Sequence, residues 1–264
     1  MRLRLNKDIW ILERGEGPLV ATAIHDGHAL RPDLADLTAL SAEQRRHEED
    51  PFTAAWTRVA PTRIIGLRSR FGLDLNRSRK KTVYLRPDDA WGLTVWRADP
   101  PPEVLSRSRE EYDAFYRMLS DLLDDKHRAH GRILILDIHS YNHRRRGPDK
   151  APVDPAGNPQ VNVGTRREMH PRWRGLVERF MAEMAAFDFP GGRLDVRENV
   201  KFRGGHLARF ILERYGEDAC VLSLEFKKFF MDEWTGEADP ALLAAIGAAL
   251  ESTIPGLIAE LADA

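Results

Sequence analysis

Four short apolar runs, each continuous rather than alternating, restrict this chain to a small set of folds. They are Leu19–Ile24, Arg63–Leu67, Ile133–Ile138 and Val221–Phe226. A strand with one wet face alternates apolar and polar residues. A run that does not alternate is buried on both faces, as in a sheet covered by helices above and below. Helical patterns lie between the runs. Ser108-Arg109-Glu110-Glu111 has capping-box spacing, and Tyr112, Phe115, Tyr116, Leu119, Leu122 and Leu123 then recur on one face up to Gly131. Pro171 is placed to open a second helix, striped by Trp173, Leu176, Val177, Phe180 and Met184. Leu207, Phe210 and Ile211 mark a short third helix ending near Gly216. Asp239-Pro240 starts a last one through Leu242, Leu243, Ile246 and Leu250, which Pro255 is expected to break. Strands alternating with helices predict a three-layer α/β/α architecture with a mixed, mostly parallel central sheet, as one domain over residues 1–264. The span 142–169 is rich in proline and glycine and lacks periodicity, so it reads as a long surface loop, a feature usually functional or disordered in a compact domain.

Charge narrows the function. Forty Lys and Arg against 41 Asp and Glu leave a formal charge of −1. That balance gives no general pull toward nucleic acid or membrane, and Arg144-Arg145-Arg146 is too short a run to argue otherwise. The lone cysteine, Cys220, excludes an intramolecular disulfide and reads as a buried small apolar residue. Met1–Asp8 carries no apolar core of signal-peptide length, and no stretch approaches the ~20 apolar residues of a bilayer span. A cytoplasmic protein is the expectation.

The chemistry sits where the apolar runs end. The first finishes in Ile24-His25-Asp26-Gly27-His28 and the third in Asp137-Ile138-His139-Ser140-Tyr141, while the fourth carries Glu225 inside an otherwise apolar strand. In sheets of this kind ligands bind at the carboxyl ends of the strands. Two histidines and a carboxylate delivered to one edge suit zinc, which takes imidazole nitrogen and carboxylate oxygen and leaves one position for water. His25 and His139 are the candidate ligands of one zinc ion per chain, and Glu225 is the candidate proton shuttle. A third ligand comes first from Asp50, in His47-Glu48-Glu49-Asp50, with Glu49 and then His28 as alternatives. Asp137, two residues before His139, is placed to orient an imidazole. Asp74-Leu75-Asn76-Arg77 offers an Arg fork and an amide for a substrate carboxylate. Arg203-Gly204-Gly205-His206 reads as a helix entry that can set backbone N–H groups and Arg203 beside an anion.

Together these motifs resemble the N-formylglutamate amidohydrolase family. The landmarks are His25-Asp26-Gly27, Glu49-Asp50, Asp74-Leu75-Asn76-Arg77, Asp137-Ile138-His139-Ser140, Asn199 through Gly205, Leu224-Glu225-Phe226-Lys227 and Met231-Asp232-Glu233. Their order and number cover most of the chain. The family is similar in fold to the zinc carboxypeptidases (the phosphorylase/hydrolase-like fold). That likeness implies zinc binding by His25 and His139, a carboxylate grip by Asn76 and Arg77, and a general base at Glu225. The chain departs from the pattern in two places. His28 stands where the carboxypeptidases carry a glutamate ligand. Glu225-Phe226-Lys227-Lys228 stands where the family has Glu, then Leu or Ile, Asn and Arg. The resemblance implies hydrolysis of the amide of a small N-acyl amino acid or a peptide-like compound bearing a carboxylate, with Arg203 as helper and the loop at 142–169 able to close over the site. The alternative is a non-catalytic module of the same fold that binds an amino-acid-like ligand or a partner protein.

Overall fold

The computed structural model describes residues 8–263; the reading of Met1–Lys7 as free of a signal sequence lies outside the described residues. The four apolar runs form β2 (Leu19–Ala23), β3 (Thr62–Gly66), β4 (Ile133–Tyr141) and β7 (Ala219–Lys227). These four lie side by side and run parallel, in three neighbouring pairs. Three further strands complete a seven-stranded sheet: β1 (Trp10–Glu13), β5 (Val161–Gly164) and β6 (Val196–Glu198), in the order β1-β3-β2-β4-β7-β5-β6. β1 runs antiparallel to β3 and β5 antiparallel to β7, so the sheet is mixed and mostly parallel.

β5 corrects the reading of 142–169 as loop throughout. Val161 and Val163 are fully buried, and Asn162 satisfies its buried amide by donating to Phe202 O at 2.8 Å. Four residues set among prolines and glycines are too few for a strand period to stand out.

Three short helices, α1 (Pro32–Ala35), α2 (Ala42–Glu48) and α3 (Thr53–Trp56), lie between β2 and β3. The long ones are α4 (Pro102–His130), α5 (Arg174–Ala186), α6 (His206–Tyr215) and α7 (Pro240–Asp263). α4 starts at Pro102, ahead of the expected cap; Ser108 instead donates its hydroxyl to Gly72 O at 2.9 Å. Gly131 ends it with φ 73°, a left-handed turn that costs glycine little. Pro171 opens a 3₁₀ turn that leads into α5. α7 runs through Pro255 without a break, against expectation. The carbonyl that Pro255 leaves unpaired belongs to Glu251, on the exposed side where water can serve it, while buried Gly256, Leu257 and Leu261 hold the last turns in the core. By length and composition α7 is also apolar enough to cross a membrane, which overturns the reading that no stretch comes close. Its stripe of Ile246, Ala249, Leu250, Leu257 and Leu261 is buried in one core with Leu176, Val177 and Phe180 of α5.

Alternation along β4 and β7 sorts their side chains between two cores. Leu134, Leu136, Ile138, Leu222 and Leu224 join α5 and α7; Ile133, Ile135 and Val221 join α4 and α6. On that second face the period continues with Asp137 and His139 on β4, and Ser223 and Glu225 on β7. His139 stands opposite Glu225, and Thr22 opposite Asp137. The apolar layer therefore turns polar at the carboxyl ends of the strands.

Candidate metal centre

His25 follows β2 and is 2% exposed. Its Nε2 lies 2.8 Å from Asp74 Oδ1, and its Nδ1 lies 3.5 Å from Asp50 Oδ2. His139, also 2% exposed, presents Nδ1 to the same Asp50 oxygen at 2.9 Å and Nε2 to Asp137 Oδ2 at 3.1 Å. The ring centres are 4.9 Å apart. Each imidazole thus turns one nitrogen toward Asp50 and the other toward a fully buried carboxylate, which fixes its orientation. Asp137 is itself held by the Thr22 hydroxyl, which donates at 2.6 Å.

Asp50 arrives from the loop after α2. Its N–H donates to His25 O at 3.0 Å and its carbonyl accepts from the Thr53 hydroxyl at 2.7 Å, so the loop folds back onto the end of β2. Of the three third-ligand candidates, Asp50 is the one placed between the histidines. Glu49 is buried but turned aside, accepting from the Ser69 hydroxyl and pairing with His28 Nδ1. Neither Glu49 nor His28 joins the cluster. The candidate ligand atoms of His25, Asp50 and His139 all lie within 4.8 Å of one another. Two imidazoles and a carboxylate, buried together and bordering a cavity, fit the donor set and the free position that a catalytic zinc needs.

The electrostatics separate two kinds of carboxylate. Burial works to raise Asp50, but hydrogen bonds from His139 and His25 and the charge of Arg70 outweigh it, holding the acid well below its ordinary range. Asp74 is held low in the same way, against burial, by His25, Arg70 and Tyr84. Glu225 goes the other way. Burial pushes it up to about 8, with Asp50 and Asp137 adding to the rise and His139 opposing it. Among the described residues its carboxylate has no hydrogen-bond partner. A carboxylate left free and hard to ionise, beside the cluster, can take up and release a proton.

A cavity of about 340 Å³ joins these groups: His25, Asp50, His139 and Glu225 line it together with Asn76 and Arg77. Arg203 lines it too, from an exposed turn. Asn76 is partly committed, since its Oδ1 accepts from Leu207 N at 3.0 Å and its Nδ2 lies 3.4 Å from His139 Nε2. The turn after Arg203 needs glycine: a Cβ on Gly205 would sit 2.2 Å from Asn76 Oδ1. Arg77 is 39% exposed and lines the cavity, its Nε 3.8 Å from Asp74 Oδ2 and its guanidinium 5.5 Å from the centre of the Tyr84 ring. Arg145, from the 142–169 segment, reaches the cavity wall, and that segment is pinned where Glu233 accepts from His143 N and Arg144 N.

Several contributors were not singled out from sequence. Arg70 approaches Asp50 at 3.7 Å and Asp74 at 3.4 Å, and donates to the Tyr84 hydroxyl at 3.1 Å. Its four-residue spacing from Asp74 was the one available signal. Asp74 holds His25 and accepts from Asn76 N at 2.7 Å, an Asx turn legible in Asp74-Leu75-Asn76. Lys228, a departure from the family pattern, is buried and donates to His47 O at 2.6 Å and Glu49 O at 2.7 Å, bracing the loop that presents Asp50.

The sequence model of the family described as N-formylglutamate amidohydrolase matches residues 17–230. A solved N-formylglutamate amidohydrolase from Ralstonia eutropha JMP134 superposes with a TM-score of 0.74 at 18% identity, over 96% of this chain and 97% of that one. A gene product of Agrobacterium tumefaciens gives 0.69 at 16% identity, over 95% of each chain. A metallo-carboxypeptidase from Pseudomonas aeruginosa scores 0.37 at 17% identity, over 96% of this chain and 61% of that one. No curated protein matches the sequence.

Proposed function

The chain belongs to the N-formylglutamate amidohydrolase family, and from that premise we propose that it is a zinc-dependent hydrolase of the amide bond in small N-acyl amino acids. The observation that carries the proposal is the convergence of His25, Asp50 and His139 with Glu225 in one cavity. Zinc held by His25, Asp50 and His139, when bound, polarises the scissile carbonyl and eases ionisation of water. Asp74 and Asp137 orient the two imidazoles. Glu225 takes a proton from the attacking water and returns it to the departing amine. Arg77 grips the substrate carboxylate, with Asn76 and Arg203 beside it, and so aligns the amide with Glu225. The partner in this reading is a small carboxylate-bearing molecule, with neither nucleic acid nor membrane involved, and the location is cytoplasmic.

A screen of N-acyl amino acids, with and without chelator, tests the proposal. Release of free amino acid that chelator abolishes and added zinc restores is the expected result. Binding of such compounds with no turnover of any of them, in zinc-loaded protein, would favour the non-catalytic binding module instead. Within the screen, Arg77→Ala should lower kcat/KM by about 10- to 100-fold, mainly through KM, because it removes charge-assisted hydrogen bonds to the carboxylate. An unchanged KM for carboxylate-bearing substrates would remove Arg77 from the site.

A further inference from the structure

We propose that a second, aromatic-walled cavity beside the metal centre receives the acyl group of the substrate, so that this chain prefers N-acyl amino acids with a bulky apolar or aryl acyl group. This inference rests on the hydrolase reading above. The second cavity, of about 510 Å³, shares Glu48, Trp91 and Arg145 with the first; it adds Leu93 and Trp234 on its apolar side and His47, Glu43 and Gln44 from α2 on its polar side. Its size falls within the range of small-molecule sites.

Three observations point to an apolar occupant. Trp91 and Trp234 are 44% and 40% exposed, two of the few large apolar side chains left in water, and both line this one cavity. Exposed apolar surface gathered in one concavity marks a binding site rather than a folding need. The charges in the shared wall cancel: Arg145 grips Glu48 through two bonds of 2.8 and 2.7 Å. Both indoles are also fixed in advance. Trp91 sits at φ 54°, a left-handed conformation costly for a bulky residue, with the guanidinium of Arg70 4.9 Å and that of Arg145 5.4 Å from its ring centre. Trp234 donates its indole N–H to Arg144 O at 3.0 Å and packs against His47, ring centres 4.5 Å apart and planes inclined at 45°. Rigid aromatic walls take up an apolar group at little cost in conformational freedom.

Position decides which part of the substrate enters. Arg77 and Arg203 line the first cavity and not the second. A substrate held there by its carboxylate, with its amide beside His25, Asp50 and His139, has its acyl end left to pass the shared wall.

The test compares N-phenylacetyl-L-glutamate with N-acetyl-L-glutamate on zinc-loaded wild type, Trp234→Ala and Trp234→Phe. Wild type should prefer the phenylacetyl compound in kcat/KM by at least about tenfold. Trp234→Ala should lose most of that preference, and Trp234→Phe, which keeps an aromatic face, should retain most of it. A wild-type enzyme that cleaves both equally, or favours the acetyl compound, overturns the inference while leaving the hydrolase reading intact; so does a preference unchanged in Trp234→Ala. If neither compound is cleaved, the hydrolase reading fails, and calorimetric binding of the same pair decides the subsite. Tighter binding of the phenylacetyl compound that Trp234→Ala abolishes supports it, and equal or absent binding rejects it.

Discussion

Glu225→Gln should give a folded, metal-loaded protein whose turnover is reduced by about 10²- to 10⁴-fold, the range for loss of a positioned proton-transfer group. The substitution keeps the side chain's size and removes its capacity to accept a proton. Little else should change. Among the described residues the Glu225 carboxylate makes no hydrogen bond, and it lies outside the cluster of His25, Asp50 and His139. Metal content and thermal midpoint should therefore stay near wild type while kcat falls. The loss should appear in kcat rather than KM, because the group acts on the transition state more than on the bound substrate. Wild-type kcat in this variant would remove Glu225 as the base.

His139→Ala is expected to lose both metal and activity, for a different reason. His139 Nδ1 faces Asp50, and Nε2 faces Asp137. Its removal takes one of three candidate ligands and strands two buried carboxylates, and breaking a buried pair costs about 3–5 kcal/mol. Lower zinc occupancy should thus come with a lower unfolding midpoint. Asp50→Asn separates the effects: it preserves volume and the backbone bonds to His25 and Thr53 while weakening the ligand. Zinc should be lost from both variants. Full occupancy in both would mean that the metal is held elsewhere.

The sequence made the central sheet and most of the site readable because one physical signal served both. The runs at Leu19–Ile24, Ile133–Ile138 and Val221–Phe226 are buried on both faces, and each ends in, or carries, a polar residue that a buried strand would not otherwise hold. His25, His139 and Glu225 stand out for that reason. Asp50 was harder to choose, since Glu48, Glu49 and Asp50 differ little as a string. What selects Asp50 is the return of the loop to His25 O and the diversion of Glu49 to Ser69 and His28. Such tertiary pairings leave no local trace. The same holds for Lys228, whose burial depends on partners far along the chain. Proline misled in one place: Pro255 lies on a helix whose freed carbonyl faces water, so tertiary packing outweighed the local penalty. The short strands β1, β5 and β6, toward the two ends of the sheet, gave too few residues for any period to register.

The most direct test of the central claim is the metal content of the wild-type protein, purified without added metal and then titrated with zinc. One tightly held ion per chain, removed by chelator together with amide hydrolysis and regained with it, is the predicted result. Amide hydrolysis that continues at full rate in protein shown to be free of metal would contradict it.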